Sequence, residues 1–129
     1  MADASHIGLE IDRFSFPVEA GKLREWAVAV GGQDVETVPL TFAAVASHHR
    51  DQAAMVAALD LDIRRVVVGS VDWEYRAPVR VGDTLTGARV VTGVRTNDRG
   101  MTFITIETAL RRADGEVAIV QTDTVIELP

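Results

Sequence analysis

The spacing of apolar positions divides this chain. Between residues 19 and 59 they recur at three- and four-residue steps, and beyond residue 65 they alternate with polar ones. Residues 39–59, PLTFAAVASHHRDQAAMVAAL, are rich in alanine and free of glycine and internal proline, which predicts one helix over residues 41–59 with Thr41 as its N-cap. Phe42, Val45, Ala46, His49, Ala53 and Val56 form its apolar stripe. The far side carries mostly alanine around a short polar stretch at 47–52, so the helix is expected to be buried on several sides.

The other elements follow from the same pattern. Residues 1–12 read as a loose lead-in. Phe14, Phe16 and Val18 alternate, predicting a short strand over 13–18 with Pro17 at a sheet edge. Residues 19–30 place Leu23, Trp26, Ala27 and Val30 on one face of a helix that Gly31-Gly32 ends. A polar loop, 33–38, leads to the long helix, and 60–65 is a connector. Strands are predicted over 66–78, 84–95, 101–112 and 117–128. In the first of these Val71, Trp73 and Tyr75 face one way, and Asp72, Glu74 and Arg76 the other. Turns at 81–83, 97–100 and Asp114-Gly115 join them as an antiparallel meander. The expected architecture is α+β, an antiparallel sheet wrapped around a long central helix.

Composition narrows the function classes. The length, 129 residues, suits a single domain spanning 1–129, and with no cysteine neither disulfides nor thiolate metal sites arise. The net charge of −6 argues against a nucleic-acid partner, which requires a dense basic surface. No apolar run approaches the roughly 18 residues of a membrane span, and the N-terminus lacks a basic-then-apolar leader. A cytoplasmic protein with no cofactor is the expectation.

Three motifs, correctly ordered, carry a resemblance. They are Phe16-Pro17-Val18 followed by the run from Lys22 to Gly31, then Val38-Pro39-Leu40-Thr41-Phe42, then Tyr75-Arg76-Ala77-Pro78-Val79-Arg80-Val81-Gly82-Asp83-Thr84-Leu85. They resemble the MaoC-like dehydratases and hydratases of the hot-dog fold, in particular the N-terminal dehydratase type, which includes the non-catalytic subunit of a heterodimeric (3R)-hydroxyacyl dehydratase. The resemblance implies an acyl-CoA or acyl-carrier-protein thioester as substrate, and a homodimer or a heterodimer with a catalytic MaoC-like subunit. Catalytic members of the family carry an Asp and, five residues on, a His. The counterpart of that Asp here is Asp34, and five residues on stands Pro39. The pair is therefore incomplete.

Dehydration of a 3-hydroxyacyl thioester requires a base for the C2 proton and an acid for the departing hydroxyl, work suited to His. The candidate catalytic residues are Asp34, His48 and His49, with Asp51 placed to orient His48 one helical turn away. The two histidines are read first as polar residues, hydrogen-bonded where the helix emerges at a subunit interface, and catalysis is the second reading. Adjacent side chains diverge on a helix, so they make a poor metal site and none is expected. Thr41, Phe42, Trp73, Tyr75 and Arg76 are the candidate substrate-binding residues. Arg76, Arg80, Arg111 and Arg112 suit phosphates of a thioester arm, or are solvated strand residues. Rival readings are a hot-dog thioesterase using Asp51 or His48, and a non-enzymatic acyl-binding or scaffold module.

Overall fold

A computed structural model describes residues 1–32 and 38–129. Its sheet has five antiparallel strands: β1 (Glu10–Pro17), β2 (Val66–Tyr75), β3 (Thr84–Thr96), β4 (Thr102–Arg111) and β5 (Val117–Glu127), in the order β1-β3-β4-β5-β2. The meander is confined to β3, β4 and β5. β1 joins β3 at one edge and β2 joins β5 at the other, so β2 and β3, although consecutive, do not pair. The chain between β1 and β2 therefore has to cross the sheet from edge to edge. That crossing carries the helical segments over the concave face and buries both surfaces, giving the expected helix-in-sheet architecture.

The crossing differs from the expected single helix. It comprises helix α1 (Ala20–Ala29), a 3₁₀ helix (Leu40–His49) and helix α2 (Gln52–Ala58), with Arg50 extended at φ −92°, ψ 151° between the last two. The first segment closes i→i+3 bonds at both ends, Phe42 N–H to the Pro39 carbonyl and Arg50 N–H to that of Ser47. Ten residues is long for this geometry. Thr41 does not cap it. Pro39 holds the cap position without a side-chain bond, and the Thr41 hydroxyl accepts from Trp26 Nε1 at 3.1 Å. Asp51 caps α2 instead, accepting the Ala54 N–H at 2.9 Å. Asp51→Ala is expected to cost about 1 kcal/mol, lowering the melting midpoint by about 3–5 °C in a circular-dichroism scan.

The N-terminal twelve residues are also not a loose lead-in. Asp3 and His6 form a capping box around the short 3₁₀ turn Ala4–His6, Gly8 N–H bonds the Val91 carbonyl, and Ala2 is buried. β1 begins at Glu10, three residues earlier than the alternation of phenylalanines indicates, because Glu10 to Arg13 pair with β3.

The buried apolar residues form two clusters rather than one. Phe16, Leu23, Phe42, Val45, Leu85, Leu110 and Ile119 lie in the first, beneath α1 and the 3₁₀ helix. Met55, Leu59, Val91, Ile104, Ile106 and Val125 lie in the second, beneath α2. Between them runs a polar row set by strand register: Asp12 opposite Arg89, Arg89 opposite Thr108, Thr108 opposite Gln121, and Gln121 opposite Trp73. It crosses all five strands.

Candidate functional site

Two features of the concave side bear on chemistry. The first is a groove of about 370 Å³ where the 3₁₀ helix begins, lined by Val38, Leu40, Tyr75, Arg76, Ala77, Pro78 and Val79. Its floor is the segment after β2, held by Arg76 and Ala77 N–H bonds to the Ala118 carbonyl and by Arg112 Nη1 donating to the Pro78 carbonyl at 2.7 Å. The turn beyond explains the third sequence motif in structural terms. Gly82 takes φ +94°, a left-handed value suited to glycine. Its N–H bonds the Val18 carbonyl, the Asp83 carboxylate accepts the Arg80 N–H at 2.9 Å, and Leu85 is fully buried. Arg76 pairs with Glu74 at 2.9 Å in the open, and that bond and charge hold the Glu74 carboxyl below its ordinary value. Burial raises the Tyr75 phenol, so at neutral pH it is an O–H donor at the groove.

The second feature is the polar row and what it grips. Arg89 is 2% exposed and gives Nε and Nη2 to the two Asp12 carboxylate oxygens, both at 2.8 Å, in a bidentate pair. The same Nη2 donates to the Asp51 carbonyl at 3.0 Å, and Asp51 N–H donates to Asp12 at 2.9 Å. Arg50 Nη1 meets Asp123 at 3.0 Å, and Asp123 also accepts from Gln121, whose amide oxygen accepts from Trp73 Nε1. Residues 50 and 51 are thus tethered to β1, β3 and β5 at the very place where the crossing stops being helical. Burial alone would raise the Asp12 carboxyl. The hydrogen bonds from Arg89 and Asp51 and the charges of Arg89 and Arg50 outweigh it and hold the group below its usual value. The Thr108 hydroxyl, in the middle of the row, is buried with no hydrogen-bond partner among the described residues.

The sequence-predicted residues divide between these places. Tyr75 and Arg76 line the groove; Thr41 sits beside it, bonded to Trp26. Phe42 is a core residue at 1% exposure, packed on Phe16 and Trp26. Trp73 is half-buried in the polar row. Asp34 lies outside the described residues. His48 and His49 are exposed at the opposite end of the 3₁₀ helix, His49 with its ring 5.6 Å from that of Phe16. About 16 Å of helix separates Leu40, in the groove, from His48. The Asp51 carboxylate is engaged as the α2 cap. Among the described residues no group of three or more Asp, Glu or His side chains is arranged to hold a metal, and no helix is long and apolar enough to cross a membrane.

The polar row itself was missed at the level of sequence. A signal existed. Leu85, Gly87, Arg89 and Val91 share one strand face, as do Ile119, Gln121, Asp123 and Val125, so polar residues stand in phase with core ones.

Comparison with known proteins resolves the family. A family model described as the FAS1-like dehydratase domain region matches residues 5–121. The chain belongs to this family. No curated protein is a significant match to this FAS1-like dehydratase-region chain. Solved structures share its fold. The C-terminally truncated HadBC (3R-hydroxyacyl-ACP dehydratase) complex of Mycobacterium tuberculosis has a chain 20% identical, aligned over 94% of this chain and 96% of that one with a TM-score of 0.76. The (R)-hydratase of A. caviae involved in PHA biosynthesis is 21% identical over 99% and 100% of the two chains, with a TM-score of 0.63. The ChsH1-ChsH2 complex of M. tuberculosis gives 16% identity over 95% and 98%, with a TM-score of 0.58. The fold is the hot-dog fold of the MaoC-like dehydratases and hydratases, as the motifs imply.

Proposed function

We infer that this chain is a subunit of a (3R)-hydroxyacyl-thioester dehydratase or enoyl-thioester hydratase that completes the acyl site of a second, catalytic hot-dog chain. The observation that carries this reading is the separation of the groove from every histidine of the chain's helical crossing. Pro39, which has no ionisable group, stands where the family's His is expected and adjoins the groove through Leu40, while His48 and His49 lie at the helix's other end. The groove offers apolar side chains, a phenol and one arginine, Arg76, which suits binding an acyl thioester with a phosphate-bearing arm. Among the described residues that line it there is no general acid–base pair. The family match and the occurrence of HadBC and ChsH1-ChsH2 as complexes support a paired subunit. The thioesterase reading is weakened by Asp51, whose carboxylate caps α2.

The exposed edge of β2 supports pairing. β2 is bonded to β5 along one side, and Val67, Val68, Val71 and Tyr75 on it are exposed, Val68 to 66%. An apolar edge strand of this kind invites a second sheet. In sedimentation at micromolar concentration the wild-type chain is expected to run as a dimer, with itself or with its partner. Val68→Lys combined with Val71→Lys is expected to convert it to a monomer of unchanged helix and strand content. A wild-type monomer both with and without the partner contradicts the reading.

A further inference from the structure

A second cavity, of about 230 Å³, is lined from the far end of the 3₁₀ helix and from β2 residues farther along the strand than those of the groove. Ser47 and Arg50 close one side, Val71 the other, and Arg89 and Asp123 form its polar wall. Measured along β2, Val71 is about 13 Å from Tyr75; along the helix, Ser47 is about 14 Å from Leu40. Filling space here does not require charge, since apolar residues of similar size often pack as well as a buried ion pair. Yet Arg89 and Asp123 are almost wholly buried, and Arg50 nearly so.

The wall selects a ligand chemistry. An alkyl end would bury the Arg50–Asp123 pair further and return no hydrogen bond. A carboxylate would face the Asp123 oxygens. An uncharged oxygen fits both groups, because a hydroxyl or carbonyl accepts from Arg50, a five-donor side chain that gives one bond to Asp123, and a hydroxyl donates to the carboxylate. We propose that this cavity is a subsite for the far end of an acyl chain that carries a hydroxyl or carbonyl oxygen there. The proposal rests on the acyl-thioester reading of the groove and names its substrate class. An extended chain covers about 3.3 Å for every three backbone atoms, so about twelve atoms bridge groove and cavity.

The test is a titration of the full chain with dodecanoyl and ω-hydroxydodecanoyl thioesters of N-acetylcysteamine, followed by calorimetry and by amide NMR of isotope-labelled protein. The hydroxylated thioester is expected to bind about tenfold tighter or more, the range of a hydrogen bond to a charged group, and to shift the Ser47 and Gln52 amides. Ser47→Leu fills the mouth without touching the Arg50–Asp123 pair. It is expected to abolish the difference in affinity between the two thioesters. Equal affinities, with both thioesters bound, overturn the subsite and leave the acyl-thioester reading standing. Dodecane-1,12-diol separates the two the other way: if it shifts the same amides while neither thioester binds, the cavity holds its assigned chemistry and the thioester reading fails. Binding by none of the three probes overturns both.

Discussion

Arg89→Met is expected to melt about 10–20 °C below the wild type. Arg89 is buried, Asp12 is partly buried, and they meet in two 2.8 Å hydrogen bonds, so removing the arginine leaves a carboxylate largely shielded from water without its partner. Breaking such a pair typically costs about 3–5 kcal/mol. The loss is larger than a local one because Arg89 and Asp12 also hold the backbone of Asp51, and with it the start of α2. Replacing both charges, Asp12→Leu with Arg89→Met, is expected to recover a good part of the stability, since no unpaired charge remains. The pH dependence has a defined sign. The folded-state pKa of Asp12 is lowered, so its contribution is fully present above the ordinary carboxylate range near about 4 and is lost as pH falls through the folded value. Acid titration of Asp12→Asn should therefore show a shallower loss of stability below about pH 4 than the wild type. Parallel acid profiles would show that the Asp12–Arg89 pair does not set the low-pH limb.

The second large effect concerns catalysis. The purified chain alone is expected to hydrate crotonyl and longer enoyl thioesters at the uncatalysed rate. With a hot-dog partner bearing an intact Asp-x-x-x-x-His loop the rate should rise by at least the about 10²–10⁴-fold that a positioned acid–base group provides. His48→Ala and His49→Ala should leave the rate of the complex unchanged, because both side chains lie at the end of the 3₁₀ helix away from the groove. Tyr75→Phe and Arg76→Met should weaken substrate binding by the complex, raising KM, since both line the groove. Melting curves of each variant separate a chemical loss from unfolding. An active homomer that loses turnover in a folded His48→Ala variant would point to a relocated site on the helix.

How much of this was legible beforehand depended on whether the deciding contact was local. The Asp114-Gly115 and Asn97–Gly100 turns, the alternation in β3, β4 and β5, and the Gly82-Asp83 motif act over a few residues, and each appears where the pattern put it. The broken crossing does not. Residues 41–59 have every local reason to form one α-helix, but Arg50 and Asp51 are pulled out of it by Asp12, Arg89 and Asp123, partners far away in sequence. Thr41 was lost as a cap for the same reason, its hydroxyl taken by Trp26. The placement of β1 and β2 at opposite edges is likewise a long-range outcome, since turn chemistry records only which strands are consecutive. At the candidate site, the aromatic-x-x-Pro motif located Tyr75 and Arg76. The second cavity was invisible because the polarity of Arg89 and Asp123 acquires meaning only once their inward face is known.

The most direct measurement is a titration of hydratase activity. A fixed amount of the Asp-x-x-x-x-His partner is mixed with rising amounts of this chain, and crotonyl-thioester hydration is followed spectrophotometrically. A rate that climbs from near background and saturates at one chain per partner, with this chain inert by itself, is the expected result. Full turnover by this chain alone, or a partner rate that does not change on its addition, contradicts the assignment of a site shared between two subunits.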